Sequence, residues 1–188
     1  MSQFTLSRGR ARRRLVTFRR HQGGASAVEF ALVAPFFFAL MFAIFEFAFL
    51  FFAGQVLETA THDTARLVMT GQAQSEKLNK AEFKEKFCAR IVALFDCKNG
   101  ISIDVKAYPS FGLIKPEDVA LPIDKNRNFI DNMRYEPGKE GEIVIVRVFY
   151  QWQLFLTSFG LDLANLSGGK HLLSATAAFR NEPFGTGS

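Results

Sequence analysis

From Phe30 to Phe45 the chain runs sixteen residues without a charge, and after Glu46 it continues apolar to Ala53. As a helix, Ala25 to Ala53 would be about 44 Å long at ~1.5 Å per residue, against a hydrocarbon core of ~30 Å. That length is enough to span a bilayer. The two acids within it, Glu29 and Glu46, lie near its ends, where a carboxylate reaches an interface at moderate cost. Beyond the span, Val56, Leu57, Ala60, Leu67 and Val68 recur at helical spacing with Thr64 on the same stripe, while Glu58, His62, Asp63 and Arg66 fall elsewhere. The pattern predicts one helix, half in lipid and half exported, that stops at Gly71. Pro35 should bend it near its cytoplasmic end by removing a backbone donor.

A second amphipathic helix follows. Asn79 and Glu82 have capping-box spacing, and Phe83, Phe87, Ile91, Leu94 and Phe95 line one face, so the helix is expected to end near Phe95. The period then changes from helical to alternating. Ile101, Ile103, Val105 and Ala107 alternate with Ser102, Asp104, Lys106 and Tyr108, the signature of a half-buried strand. Glu142–Leu156 is apolar on both faces at its start and should be a central strand. There Val144, Val146, Val148, Tyr150, Trp152 and Leu154 share one face, and Ile143, Ile145 and Phe149 share the other with Arg147. Leu172–Arg180 presents Leu173, Ala175, Ala177 and Phe179 as a last strand. Residues 109–141, with Pro109, Pro116, Pro122 and Pro137, read as a long solvated loop. The expected fold is α+β and pilin-like: a long N-terminal helix, a second helix and a small, mainly antiparallel sheet. Its divisions are a basic leader (1–24), a membrane helix continuing outside (25–71) and an exported domain (72–188).

Charge gives this plan a direction. The formal net charge of +5 conceals a sharp division, because the first 23 residues hold seven arginines and no acid, leaving the rest slightly acidic. A basic tail can serve nucleic acid or membrane topology, and an apolar span directly after it favours topology. By the positive-inside rule the N-terminus is cytoplasmic and the body lies across the membrane, with no nucleic-acid partner expected. A cleaved secretory signal fits poorly, since the apolar core exits at Phe51-Phe52-Ala53-Gly54 without a small-x-small site. Cys88 and Cys97 both lie in the expected outer body, where an oxidising compartment would let them pair; two buried free thiols are the other reading.

Few residues suggest chemistry. His21, His62 and His171 are scattered and lack metal-ligand spacing with the two cysteines. Asp124-Lys-Asn126-Arg-Asn128 opens like a calcium loop, but Phe129 and Tyr135 stand where the turn glycine and bidentate glutamate belong. No nucleophile–base motif or phosphate loop is present, so neither enzyme activity nor a cofactor is expected.

The junction before the span is more informative. A carboxylate in a membrane-facing helix is unfavourable without a partner. If the chain were cut between Gly24 and Ala25, the new α-amino group would lie one helical turn from Glu29. It could then neutralise that acid in the same chain or in a neighbour; an interfacial Glu29 that simply snorkels is the other reading. Gly24-Ala-Ser-Ala-Val-Glu29-Phe resembles the processing site of type IV prepilins. Ala27-Val-Glu-Phe-Ala-Leu-Val-Ala-Pro35, with Glu46 in a second apolar setting, is similar to the TadE-like proteins of the tight-adherence (Flp) pilus system. Phe179-Arg-Asn-Glu-Pro-Phe184 also resembles the ending of many such proteins. The resemblance implies a minor pseudopilin of a type IVc pilus in the inner membrane, with its C-terminal domain periplasmic. Prepilin peptidase would cut after Gly24 (or Gly23), making Ala25 the new N-terminus and Glu29 the registry contact with other pilin subunits. Pro35 and Glu46 would be secondary helix-packing positions, and the pilus platform proteins further partners. An unprocessed single-pass envelope or adhesion protein is the alternative.

Overall fold

The computed structural model describes residues 24–91, 94–155 and 163–184, so the arginine-rich leader through Gly23 and His21 within it lie outside the described residues. The long helix is continuous: α1 spans Ala25–Met69 and runs through Pro35. It ends where glycine is needed, since Gly71 has a φ of 77° and its N–H closes the last turn on Val68 O at 3.1 Å. A left-handed residue of this kind is a common helix terminator because it lacks the Cβ penalty.

A short helix, α2 (Gln72–Ser75), leads to α3 (Lys80–Cys88). The expected capping box is formed: Asn79 Oδ1 accepts from the Ala81 and Glu82 amides, and the Glu82 carboxylate accepts from Asn79 N at 2.8 Å. The far end of this helix differs from expectation, because α3 stops at Cys88 rather than near Phe95. The reason is covalent. Cys88 and Cys97 form a disulfide with Cα atoms 5.8 Å apart, whereas nine residues of continuous helix would separate them by about 13 Å at ~1.5 Å each. The chain must therefore leave the helix early and double back into α4 (Cys97–Gly100). Phe95 still reaches the core, from beyond the helix rather than from its face.

Strands β1 (Ile101–Tyr108), β2 (Ile143–Gln153) and β3 (Lys170–Arg180) form an antiparallel sheet in the order β1-β2-β3, with β2 central as its two apolar faces require. Val105 opposes Val146, and Val146 opposes Ala177, so all three expected apolar faces coincide. The architecture is α+β.

The contacts divide the chain into two compact units, one ending at Phe45 and one running Glu46–Ser188. In the second unit the C-terminal half of α1 packs Ala53, Leu57, Ala60, Ala65 and Val68 with Phe83, Phe87 and Phe95. This layer meets Ile103, Val105, Val144, Val146, Val148, Ala175 and Ala177 on the near face of the sheet. Thr61 and Thr64 are buried in this layer, and their hydroxyls donate to Leu57 O and Ala60 O, both at 2.7 Å. Each is thereby satisfied within the helix at no cost in unpaired polar groups.

The opposite face of the sheet is covered by the long connection between β1 and β2. That connection contains a 3-10 turn (Phe111–Leu113) and a single-turn helix, α5 (Pro116–Val119). Ile123, Phe129 and Met133 from it pack on Phe149, Leu166 and Leu172. It is also stitched to the outer edge of β1, where Val105 N donates to Arg134 O and Glu136 N to Val105 O, each at 2.9 Å. A solvated loop was expected; what the structure has is a cover.

Candidate functional site

The first half of α1 is apolar and bare. Val28, Phe30, Leu32, Val33, Phe36 and Leu40 all expose more than half of their surface, and the helix is long and apolar enough to cross a membrane. In water such a surface would be strongly unfavourable, at roughly 25 cal/mol per Å² of apolar area left exposed. Pro35 is exposed within it. Gly24 is exposed just before the helix, and a side chain added there would meet nothing within 4 Å. Ala25 is the first helical residue and Glu29 lies on the next turn, exposed to the surroundings. The spacing of four residues puts positions 25 and 29 on the same helix face. The structure thus brings three of the sequence-derived positions together: an open peptide link, the helix start and a carboxylate one turn on.

Glu46 is different. It is buried, and its carboxylate accepts a hydrogen bond from the backbone N–H of Phe155, just past the end of β2. The second acid in the apolar run is therefore engaged within its own chain.

The remaining sequence signals have structural roles. The Cys88–Cys97 disulfide pins the turn after α3. In the tail, Asn181 is buried and its side-chain amide donates to Pro137 O at 3.0 Å and Lys139 O at 2.9 Å. Glu182 N donates to Met69 O at 2.9 Å, satisfying a carbonyl at the end of α1, and the Phe184 ring covers Gly71. The run Phe179–Phe184 is thus a clamp on the helix terminus. Asp124 accepts from the amides of Asn126 at 2.8 Å and Asn128 at 2.7 Å, and from the Asn128 side chain at 3.1 Å. These hydrogen bonds, the Asn128 backbone contact foremost, hold its carboxyl below the usual carboxylate range. The calcium-like spelling is a turn closed by its own aspartate, and Ser167 ties it to the segment before β3, donating from N to Arg127 O and from Oγ to Asn128 Oδ1.

One pair escaped the sequence reading. Asp104 and Arg147 oppose each other across β1 and β2, both buried. Arg147 Nη2 and Nε donate to Asp104 Oδ2 at 2.6 and 3.2 Å, Nη1 donates to Ala120 O at 2.9 Å, and Arg134 N donates to Asp104 Oδ1 at 2.9 Å. The guanidinium also lies over the Phe149 ring at 5.2 Å. The pair binds the cover to the sheet. Strict alternation of β1 put Asp104 on the outer face, and only the cover makes that face an interior.

No curated protein and no solved structure matches this chain. The model of the TadE-like protein family matches residues 24–66, the stretch from the glycine before α1 to the last turn of that helix. Over that stretch the chain is similar to the TadE-like family, which is consistent with a TadE-like protein of the Tad/Flp pilus system.

Proposed function

We propose that this chain is a minor pseudopilin-like subunit that serves assembly of a Tad-type pilus from the cytoplasmic membrane. The observation that carries the reading is Glu29 on a bare apolar helix, one turn from Ala25, inside the family match. Prepilin peptidase cuts after Gly24, and the exposed link there fits an accessible substrate. The freed α-amino group of Ala25 then neutralises Glu29 in the same chain or in a neighbouring helix. In lipid, helices gain little from hydrophobicity, so such a charge pair and close packing set the register between subunits. The arginine leader keeps the N-terminus cytoplasmic, and the disulfide-pinned second unit lies in the periplasm, facing other pilin subunits and the platform proteins. The role is structural, without catalysis or cofactor.

Exchange of Glu29 for leucine tests this. The variant should insert into the membrane at wild-type level and fail to support pilus formation in a strain lacking the native gene. Normal piliation with Glu29→Leu would remove the registry role.

A further inference from the structure

We infer that the second unit is seated in the outer headgroup–acyl boundary of the bilayer through Leu94, Trp152 and Phe155, beside Glu46 and Phe49. This rests on the reading of α1 as a membrane span and goes beyond it. Along α1, Ser26 to Phe45 rises about 30 Å at ~1.5 Å per residue, which already fills a hydrocarbon core of ~30 Å. The apolar surface nevertheless does not stop there: Phe47, Phe49, Phe51 and Phe52 are all exposed on the next two turns. At that level Glu46, Phe49, Leu94, Trp152 and Phe155 line one shallow, almost wholly apolar cleft. Phe155 leaves 81% of its surface uncovered and Leu94 39%. Trp152 is half-buried against Phe95 and the core, while Phe49, Leu94 and Phe155 stay exposed beside it; large apolar groups gathered and exposed in this way mark an interaction surface.

Lipid is the occupant that the surface fits. The cluster is built on Glu46 and Phe49, which directly follow the apolar run 30–45 in the chain. It contains an indole ring, which favours the interfacial zone because one edge is apolar and the other donates a hydrogen bond. Its charged member, Glu46, lies at the depth where the hydrocarbon ends and is held by Phe155 N, so no bare carboxylate enters lipid. The same bond fixes the second residue after β2 against the helix, presenting the Phe155 side chain outward.

Trp152 is the only tryptophan of the chain, so its emission reports this surface directly. The full-length protein is reconstituted at high lipid dilution in phosphatidylcholine vesicles, with bromine near either the carboxyl end or the methyl end of the acyl chains. The expected result is blue-shifted emission, quenched at least twofold more by the shallow bromine than by the deep one. Leu94→Ser/Phe155→Ser should lower that quenching while the vesicles still float with bound protein. Protein that floats but shows unquenched, acrylamide-accessible Trp152 would overturn the seat and leave the span standing. Shielding that disappears on further lipid dilution would overturn it in favour of a second copy. Protein that does not float would remove the span itself and the seat with it.

Discussion

Asp104 and Arg147 are opposite charges with almost no solvent contact, and each is the other's shortest charged partner. Removing Arg147 leaves the buried Asp104 with only the longer Lys106 contact at 3.7 Å and the Arg134 amide, and breaking a buried pair in this way typically costs about 3–5 kcal/mol. Arg147→Met should therefore lower the thermal unfolding midpoint of the detergent-solubilised protein far more per residue than Asp104→Leu/Arg147→Met together. Equal losses would show that the pair is not coupled. Gly71 makes a second claim at this scale. A side chain at φ 77° costs roughly 1–2 kcal/mol, and at this site it would also displace the Phe184 ring. Gly71→Ala should destabilise measurably, with part of the loss recovered by Phe184→Ala, as a melting series would report. Asp124 gives a pH dependence of known sign. Its carboxyl is held below its ordinary value in the folded state. It thus contributes stability that is present above the unfolded pKa and lost as pH falls through the folded one. An NMR titration should place its midpoint below that of an unstructured aspartate, and Asp124→Asn should abolish that acid-limb contribution.

Among the elements, the long helix and the three strands were legible because their signals are local. An unbroken apolar-then-amphipathic run dictates α1, and alternation dictates each strand. The terminus of α3 was not legible, because a bond between Cys88 and Cys97 overrides a helical apolar pattern that runs on to Phe95. The cover over the far face of the sheet was hidden for another reason. Residues 109–141 have no period of their own, and their partners, such as Phe149 and Asp104, become neighbours only when the sheet assembles. Closing so short a loop, the disulfide should contribute about 2–3 kcal/mol. Cys88→Ser/Cys97→Ser should unfold at correspondingly lower denaturant, with α3 free to lengthen toward Phe95. An increase in helical circular dichroism would reveal that extension, and an unchanged midpoint would deny the bond any stabilising role.

At the scale of the whole molecule, the proposed function rests on the start of α1. Gly24, Ala25 and Glu29 stand out in the sequence through their spacing along one helix, and the structure leaves the glycine and the carboxylate open. Glu46 was half legible: its apolar setting stood out, but its partner Phe155 N lies more than a hundred residues away. The tail's clamp on the end of α1 was likewise visible as a motif and not as a role. The central claim is that this chain is cut after Gly24 and then assembles through Glu29. N-terminal sequencing of the protein purified from its native host, with and without prepilin peptidase, tests it most directly. The account predicts a start at Ala25 when the peptidase is present and an uncut leader when it is absent; a start at Met1 or Ser2 in both would contradict it.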